Sequence, residues 1–145
     1  MKENDLKLLD CTLRDGGYVN EWKWGYHNAR AIIRFLTKAE VDFVEVGFLR
    51  NVDVYNEDIT VCNTIEELNR LLPEKKGKTR YSAMAMRSNY DINKLTPYSG
   101  KGIEMIRITA HDYDIEEGMD FAREVKRKGY KLSINPINIM GYSDE

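Results

Sequence analysis

Histidine, cysteine and proline are scarce in this 145-residue chain, at two, two and three copies. With only His27 and His111 there is no HExxH segment and no closely spaced imidazole pair, which excludes the usual zinc-hydrolase pattern. Cys11 and Cys62 stand alone, without a CxxC spacing. They read as free thiols of a reducing compartment, and the cytoplasm is the expected location. No GxGxxG, GxxxxGK[ST] or GxSxG segment occurs, so nucleotide-binding and serine-hydrolase readings lose their support. No apolar run is long enough to cross a bilayer, and Met1–Asp5 lacks the apolar core of a signal peptide. Charged residues make up 32% of the chain, with a net charge of −2 and no basic stripe. Neither nucleic acid nor a membrane is an expected partner.

Short apolar runs recur instead with a steady beat. Strands are expected at Leu6–Leu13, Val41–Phe48, Thr79–Met86, Ile103–Ala110 and Lys131–Asn135. Helical segments fall between them. Tyr26–Ala39 carries Ala29, Ile32, Ile33 and Leu36 at helical spacing. Thr64-Ile65-Glu66-Glu67 is a capping box opening a helix that ends near Pro73. Asp114-Ile115-Glu116-Glu117 is an acidic version of such a cap, and Gly129 closes that helix. Asp91–Leu95 reads as one helical turn. The repeat is about 31 residues, and eight such units would need about 250, the size of a (β/α)₈ barrel. The expected fold is α/β with parallel strands: residues 1–145 form one partial TIM-barrel domain, roughly strands one to five, with the C-terminal units absent. Ser143-Asp144-Glu145 reads as the cap of a helix that does not follow.

Alternation within the strands puts Asp10, Thr12 and Arg14 in phase, with Glu45, Arg107, Thr109, Ser133 and Asn135 also on inward faces. Buried charges need partners. The simplest pairing sets Arg14 and Arg107 against Asp10 and Glu45.

Chemistry concentrates in Leu9–Gly17, LDCTLRDGG. Asp15, at a strand end followed by two glycines, is a hard oxygen ligand suited to Mg²⁺ or Mn²⁺. Arg14 is a fixed cation able to stabilise an enolate oxygen, with Glu45 as its orienting carboxylate. Arg107 and Asn135 are candidate substrate contacts on the inner face. His111, just past the fourth strand, is a substrate contact, a proton shuttle or a helix cap. Tyr18, Trp22 and Trp24 form an aromatic loop that either roofs the site or packs on the barrel rim. Arg50 is either a carboxylate ligand or solvated surface, and the surface reading is preferred.

LDCTLRDGG followed by VDFVEVGF and IRITAH resembles the HMG-CoA-lyase-like family of TIM-barrel metalloenzymes, the DRE-TIM metallolyases or pyruvate-carboxyltransferase-domain proteins. The 4-hydroxy-2-oxovalerate aldolases look nearest. The resemblance spans strands one to five. It implies that Asp15 matches the metal-binding aspartate, Arg14 the arginine that steadies a pyruvate enolate, and Glu45 the strand-two glutamate. His111 matches a histidine often found after strand four. Two departures stand out. The aldolases place a histidine base where this chain has Tyr18, and a phenol with a pKa near 10 is a poorer base at neutral pH. The family also completes its metal site with an HxH pair on strand seven, which is absent here.

The resemblance therefore implies a divalent-metal-dependent aldolase or lyase acting on a small-molecule 2-oxo acid, by carbon–carbon bond cleavage or formation. The 145 residues alone are expected to be inactive, either lacking a C-terminal half or self-associating through open barrel edges. Two alternatives are a Claisen-type acyltransferase similar to isopropylmalate or homocitrate synthases, and a non-catalytic half-barrel that works only with a partner. A five-stranded flavodoxin-like sheet is disfavoured, because the inward polar groups need a closed interior.

Overall fold

The computed structural model describes residues 6–74 and 77–141, so the expected cap at Ser143–Glu145 lies outside the described residues. The chain runs β1 (Leu9–Asp10), a helical turn α1 (Thr12–Asp15), a second turn α2 (Gly17–Asn20), α3 (Tyr26–Lys38), β2 (Phe43–Leu49), β3 (Val61–Cys62), α4 (Ile65–Asn69), β4 (Arg80–Ala85), β5 (Met105–Ala110), α5 (Ile115–Arg127) and β6 (Lys131–Pro136). Every pairing among these strands is parallel, in the spatial order β1-β2-β4-β5-β6. Strands that neighbour one another in chain order are the mark of a singly wound barrel. A flavodoxin-like sheet reverses direction at a switch point, so that reading is overturned. The sheet is an open arc, as in the first part of a (β/α)₈ barrel.

Local rules account for the elements. Thr64 caps α4 through a complete capping box: the Glu67 amide donates to Thr64 Oγ1 at 3.3 Å and the Thr64 amide donates to Glu67 Oε2 at 3.0 Å. Gly129, at φ 89°, ends the α5 segment in the left-handed region that glycine adopts freely. Asp91 holds a single 3₁₀ turn, Ile92–Lys94, by accepting from the Asn93 amide. Asp114 departs from the expected cap. It precedes α5 without capping it, and its carboxylate instead accepts from the His111 amide at 2.6 Å.

The helices cover one face of the sheet. Ala29 and Ile33 of α3, Leu68 of α4, and Phe121, Ala122 and Val125 of α5 pack with Val44, Tyr81, Ala83, Ile106 and Ile108 in one buried cluster. Tyr81 reaches α3, where its hydroxyl shares a 3.0 Å hydrogen bond with Thr37. Strand alternation then assigns Ser82, Met84, Arg107, Thr109, Ser133 and Asn135 to the opposite face, in the phase expected for the barrel interior.

The first strand is the main departure from expectation. It covers two residues rather than eight, and Thr12–Asp15 is helical. Where β1 leaves the edge of β2, β3 takes its place, pairing Val61 with Phe48 and Cys62 with Leu49. Beside it β2 carries a bulge. Glu45 pairs with Ser82 and Phe48 with Met84, so three steps on β2 match two on β4. One extra residue shifts the alternation and sends both Glu45 and Phe48 inward. Gly47 sits in the bulge against the Thr60 carbonyl, where a Cβ would collide with backbone. Gly47→Ala is expected to lower stability by about 1–3 kcal/mol, read as an earlier urea midpoint. An unchanged midpoint would mean that the Thr60 segment gives way freely.

Cys62 is buried in β3, and burial, with the Glu67 charge adding to it, pushes its thiol up from 9.0 to about 12. The folded thiol therefore holds its proton where an unfolded one has lost it. The stability this confers is complete below pH 9 and is lost as pH rises from 9 towards 12. The stability gap between wild type and Cys62→Ala should narrow across that window. A gap independent of pH would contradict the assignment.

Candidate functional site

Glu45 organises the inner face. Its side chain is fully buried, and both of its oxygens meet arginines. Arg14 Nε donates to Oε1 at 2.6 Å, while Arg107 Nη1 donates to Oε1 at 3.0 Å and Oε2 at 2.9 Å. The arginine side chains are 11% and 15% exposed, so the triad is nearly dry on the protein side. Arg14 also reaches outward, its Nη1 donating to Asp15 Oδ1 at 2.7 Å. Burial works against charge on Arg14, but the hydrogen bond it donates to Glu45 and the charges of Glu45 and Asp15 outweigh it and raise its pKa.

The expected pairing of the arginines with Asp10 is corrected by this geometry. Asp10 binds its own turn instead, accepting from the Thr12 amide and hydroxyl at 3.0 and 3.1 Å. Strand alternation also does not place Arg14, since it lies on a helical turn. From there Arg14 and Asp15 reach the same mouth without a strand ending between them.

That turn is held by its neighbours. Two indoles satisfy carbonyls the short α1 leaves open: Trp22 Nε1 donates to Arg14 O at 2.6 Å and Trp24 Nε1 to Leu13 O at 3.1 Å. Thr60 Oγ1 donates to Leu13 O as well, at 3.0 Å. Gly16 and Gly17 are needed for close approach rather than to end a strand. A Cβ on Gly16 would lie 2.6 Å from Thr12 O, and one on Gly17 would overlap the Trp22 indole. The aromatic loop packs on β2: Tyr18 meets Trp22 edge-on at 4.8 Å and Phe48 at 6.4 Å, and Trp22 meets Phe48 at 5.5 Å.

The remaining expected residues are more dispersed. Tyr18 is largely exposed. His111 follows β5, its ring stacked 4.8 Å from that of Tyr113 and 3.9 Å from the Asp114 carboxylate. Its Nδ1 is buried without a hydrogen-bond partner. Asn135 lies on β6 opposite Thr109. Among the described residues, none of the three is hydrogen-bonded to the Arg14–Glu45–Arg107 triad. Arg50, preferred above as solvated surface, is instead partly buried. Its Cζ lies 4.0 Å from the Phe48 ring centroid and 4.9 Å from that of Trp22. The missed signal was the bulge glycine, Gly47, which turns Phe48 inward and carries Arg50 with it.

The described residues do not by themselves fit a bound divalent ion. No cluster of three His, Cys, Asp or Glu side chains occurs among them in ligating arrangement. Asp15 offers one carboxylate, already ion-paired with Arg14. Among the described residues no helix is long and apolar enough to cross a membrane.

No family model matches the chain, and no curated protein matches it. Among solved structures it is similar to the crystal structure of the N-terminal domain of a "putative aldolase" from Bacteroides vulgatus, with 24% identity and a TM-score of 0.61. The match covers 93% of this chain and 46% of that one, so the chain spans about half the length of its structural relative. At that identity the likeness establishes the fold alone: this chain shares the architecture of that N-terminal domain.

Proposed function

We propose that this chain is the N-terminal, enolate-stabilising part of an HMG-CoA-lyase-like aldolase or lyase acting on a 2-oxo acid. One observation carries the reading: a buried carboxylate, Glu45, fixes Arg14 Nε at 2.6 Å, while Arg14 Nη1 reaches out to the exposed Asp15. A preorganised guanidinium there suits an oxygen that becomes negative as a carbon–carbon bond next to a 2-oxo group breaks or forms. Its orientation is set before substrate arrives, because Glu45, itself gripped by Arg107, holds its Nε. Arg107 holds Glu45 in place by donating to both of its carboxylate oxygens. No step is assigned to a metal held by this chain. A divalent ion would need ligands besides Asp15, and the family resemblance expects them on later strands.

The complete product of the encoding gene, supplied with Mn²⁺ or Mg²⁺, is expected to release pyruvate from 4-hydroxy-2-oxovalerate or a related 4-hydroxy-2-oxo acid. A coupled lactate dehydrogenase assay reads this directly. Thiol release that depends on acetyl-CoA, without pyruvate release, would instead favour the Claisen-type acyltransferase. The 145 residues purified alone are expected to show no turnover and to associate, because among the described residues β6 pairs with β5 alone and leaves an open edge. A monodisperse, active 145-residue monomer would overturn this part of the reading.

A further inference from the structure

Three arginines converge around Phe48 and Glu45, and the carboxylate holds only two of them. The third, Arg50, directly follows β2, its amide donating to Cys62 O at 3.0 Å. Its guanidinium is layered against Phe48 and Trp22. Its Nε is closed off from solvent with no acceptor. Among the described residues no carboxylate pairs with it, whereas Arg14, whose Cζ is 5.7 Å from the same Phe48 ring, has two. Cation–π contact with aromatic rings contributes about 0.5–2 kcal/mol, and it holds the guanidinium in place. It supplies no hydrogen-bond acceptor, and a stripped donor without one is costly. A guanidinium held between two aromatic rings at the carboxyl end of a parallel strand, with an unfilled donor, is a seat for an oxyanion.

We propose that Arg50 forms an oxyanion subsite, taking a carboxylate or phosphate of the substrate distinct from the oxygen held at Arg14. Joined to the aldolase reading, on which the substrate assignment rests, this makes the preferred substrate a 2-oxo acid system with a second anionic group, either a dicarboxylate or a phosphorylated partner. The anion seat itself does not depend on that reading.

Trp22 lies against Arg50, and the chain has only one other tryptophan, Trp24. Tryptophan fluorescence therefore reports occupancy without turnover. The protein is titrated with malonate and with inorganic phosphate, at constant ionic strength set with sodium chloride. A saturable change is expected, weakened at least tenfold in Arg50→Gln and retained in Arg14→Gln. Tighter binding of malonate marks a carboxylate seat, and tighter binding of phosphate a phosphate seat; either supports the proposal. If Arg50→Gln does not fold, Arg50→Lys carries the test: it keeps the charge, loses the planar fork, and should weaken binding at least threefold. No saturable change in wild type, or equal affinity in wild type and the Arg50 variants, would overturn the subsite. Absence of aldolase turnover by the complete gene product alongside intact Arg50-dependent binding would refute the aldolase reading and leave the anion seat standing.

Discussion

Glu45→Ala is expected to lower the unfolding free energy by about 3–5 kcal/mol, a large share of the 5–15 kcal/mol typical of a domain. The reason lies in what remains. Wild-type Glu45 is fully buried and binds Arg14 and Arg107 together. Its removal strands two guanidiniums that are themselves 11% and 15% exposed, and neither arginine can shed its charge. Asp15 still meets Arg14 but is 62% exposed, so water screens that pair and it compensates little. The converse substitution sharpens the test. Replacing Arg14, Glu45 and Arg107 together by apolar residues of similar volume removes the charge imbalance and should cost far less than Glu45→Ala alone. Urea unfolding of both variants checks the pair of expectations. A Glu45→Ala loss below about 1 kcal/mol, the range of exposed ion pairs, would show that water reaches the triad freely.

Arg14→Ala is expected to lower kcat of the complete gene product about 10²–10³-fold, the effect of deleting one oxyanion-stabilising donor, with KM changed much less. Arg14→Lys should recover little of it. A lysine ammonium cannot hold Glu45 through one nitrogen while presenting others, in fixed geometry, to Asp15 and a reacting oxygen. Steady-state kinetics of the two variants distinguishes this from a structural role. If Arg14 only bridged Glu45 and Asp15, stability would fall while kcat of the surviving folded enzyme held. Equal kcat in Arg14→Ala and wild type would remove Arg14 from the chemistry.

The strand beat and helix signals exposed most of the architecture to sequence reading, because core strands buried on both faces and capped helices write their period directly into the apolar pattern. β2, β4, β5 and β6 lie within two residues of where Val41–Phe48, Thr79–Met86, Ile103–Ala110 and Lys131–Asn135 place them. Glu45 and Arg107 were legible as partners for the same reason: alternation aims them inward, and a buried charge needs an opposite one. The first strand was not legible. Leu6–Leu13 reads as a strand, but Asp10 captures the Thr12 amide and hydroxyl and bends the chain into a turn. That local hydrogen bonding overrode the pattern. It also freed Asp10 from the role expected of it. Arg50 was misread because its environment is made by a bulge. An extra residue between Glu45 and Phe48 changes which side chains share a face, and one glycine in an apolar run gives little warning of it. The role of Gly17 was obscured similarly, since the Trp22 indole it admits comes from five residues later.

The central claim is that a guanidinium fixed by a buried carboxylate stabilises an enolate oxygen. Exchange of the methyl protons of pyruvate in D₂O, followed by proton NMR, isolates that step from any carbon–carbon bond chemistry. With Mn²⁺ or Mg²⁺ present, the complete gene product should wash out the methyl signal, and Arg14→Ala should slow the loss at least a hundredfold. Exchange by the Arg14→Ala variant at the wild-type rate, or no exchange by the wild type with either ion, would contradict it.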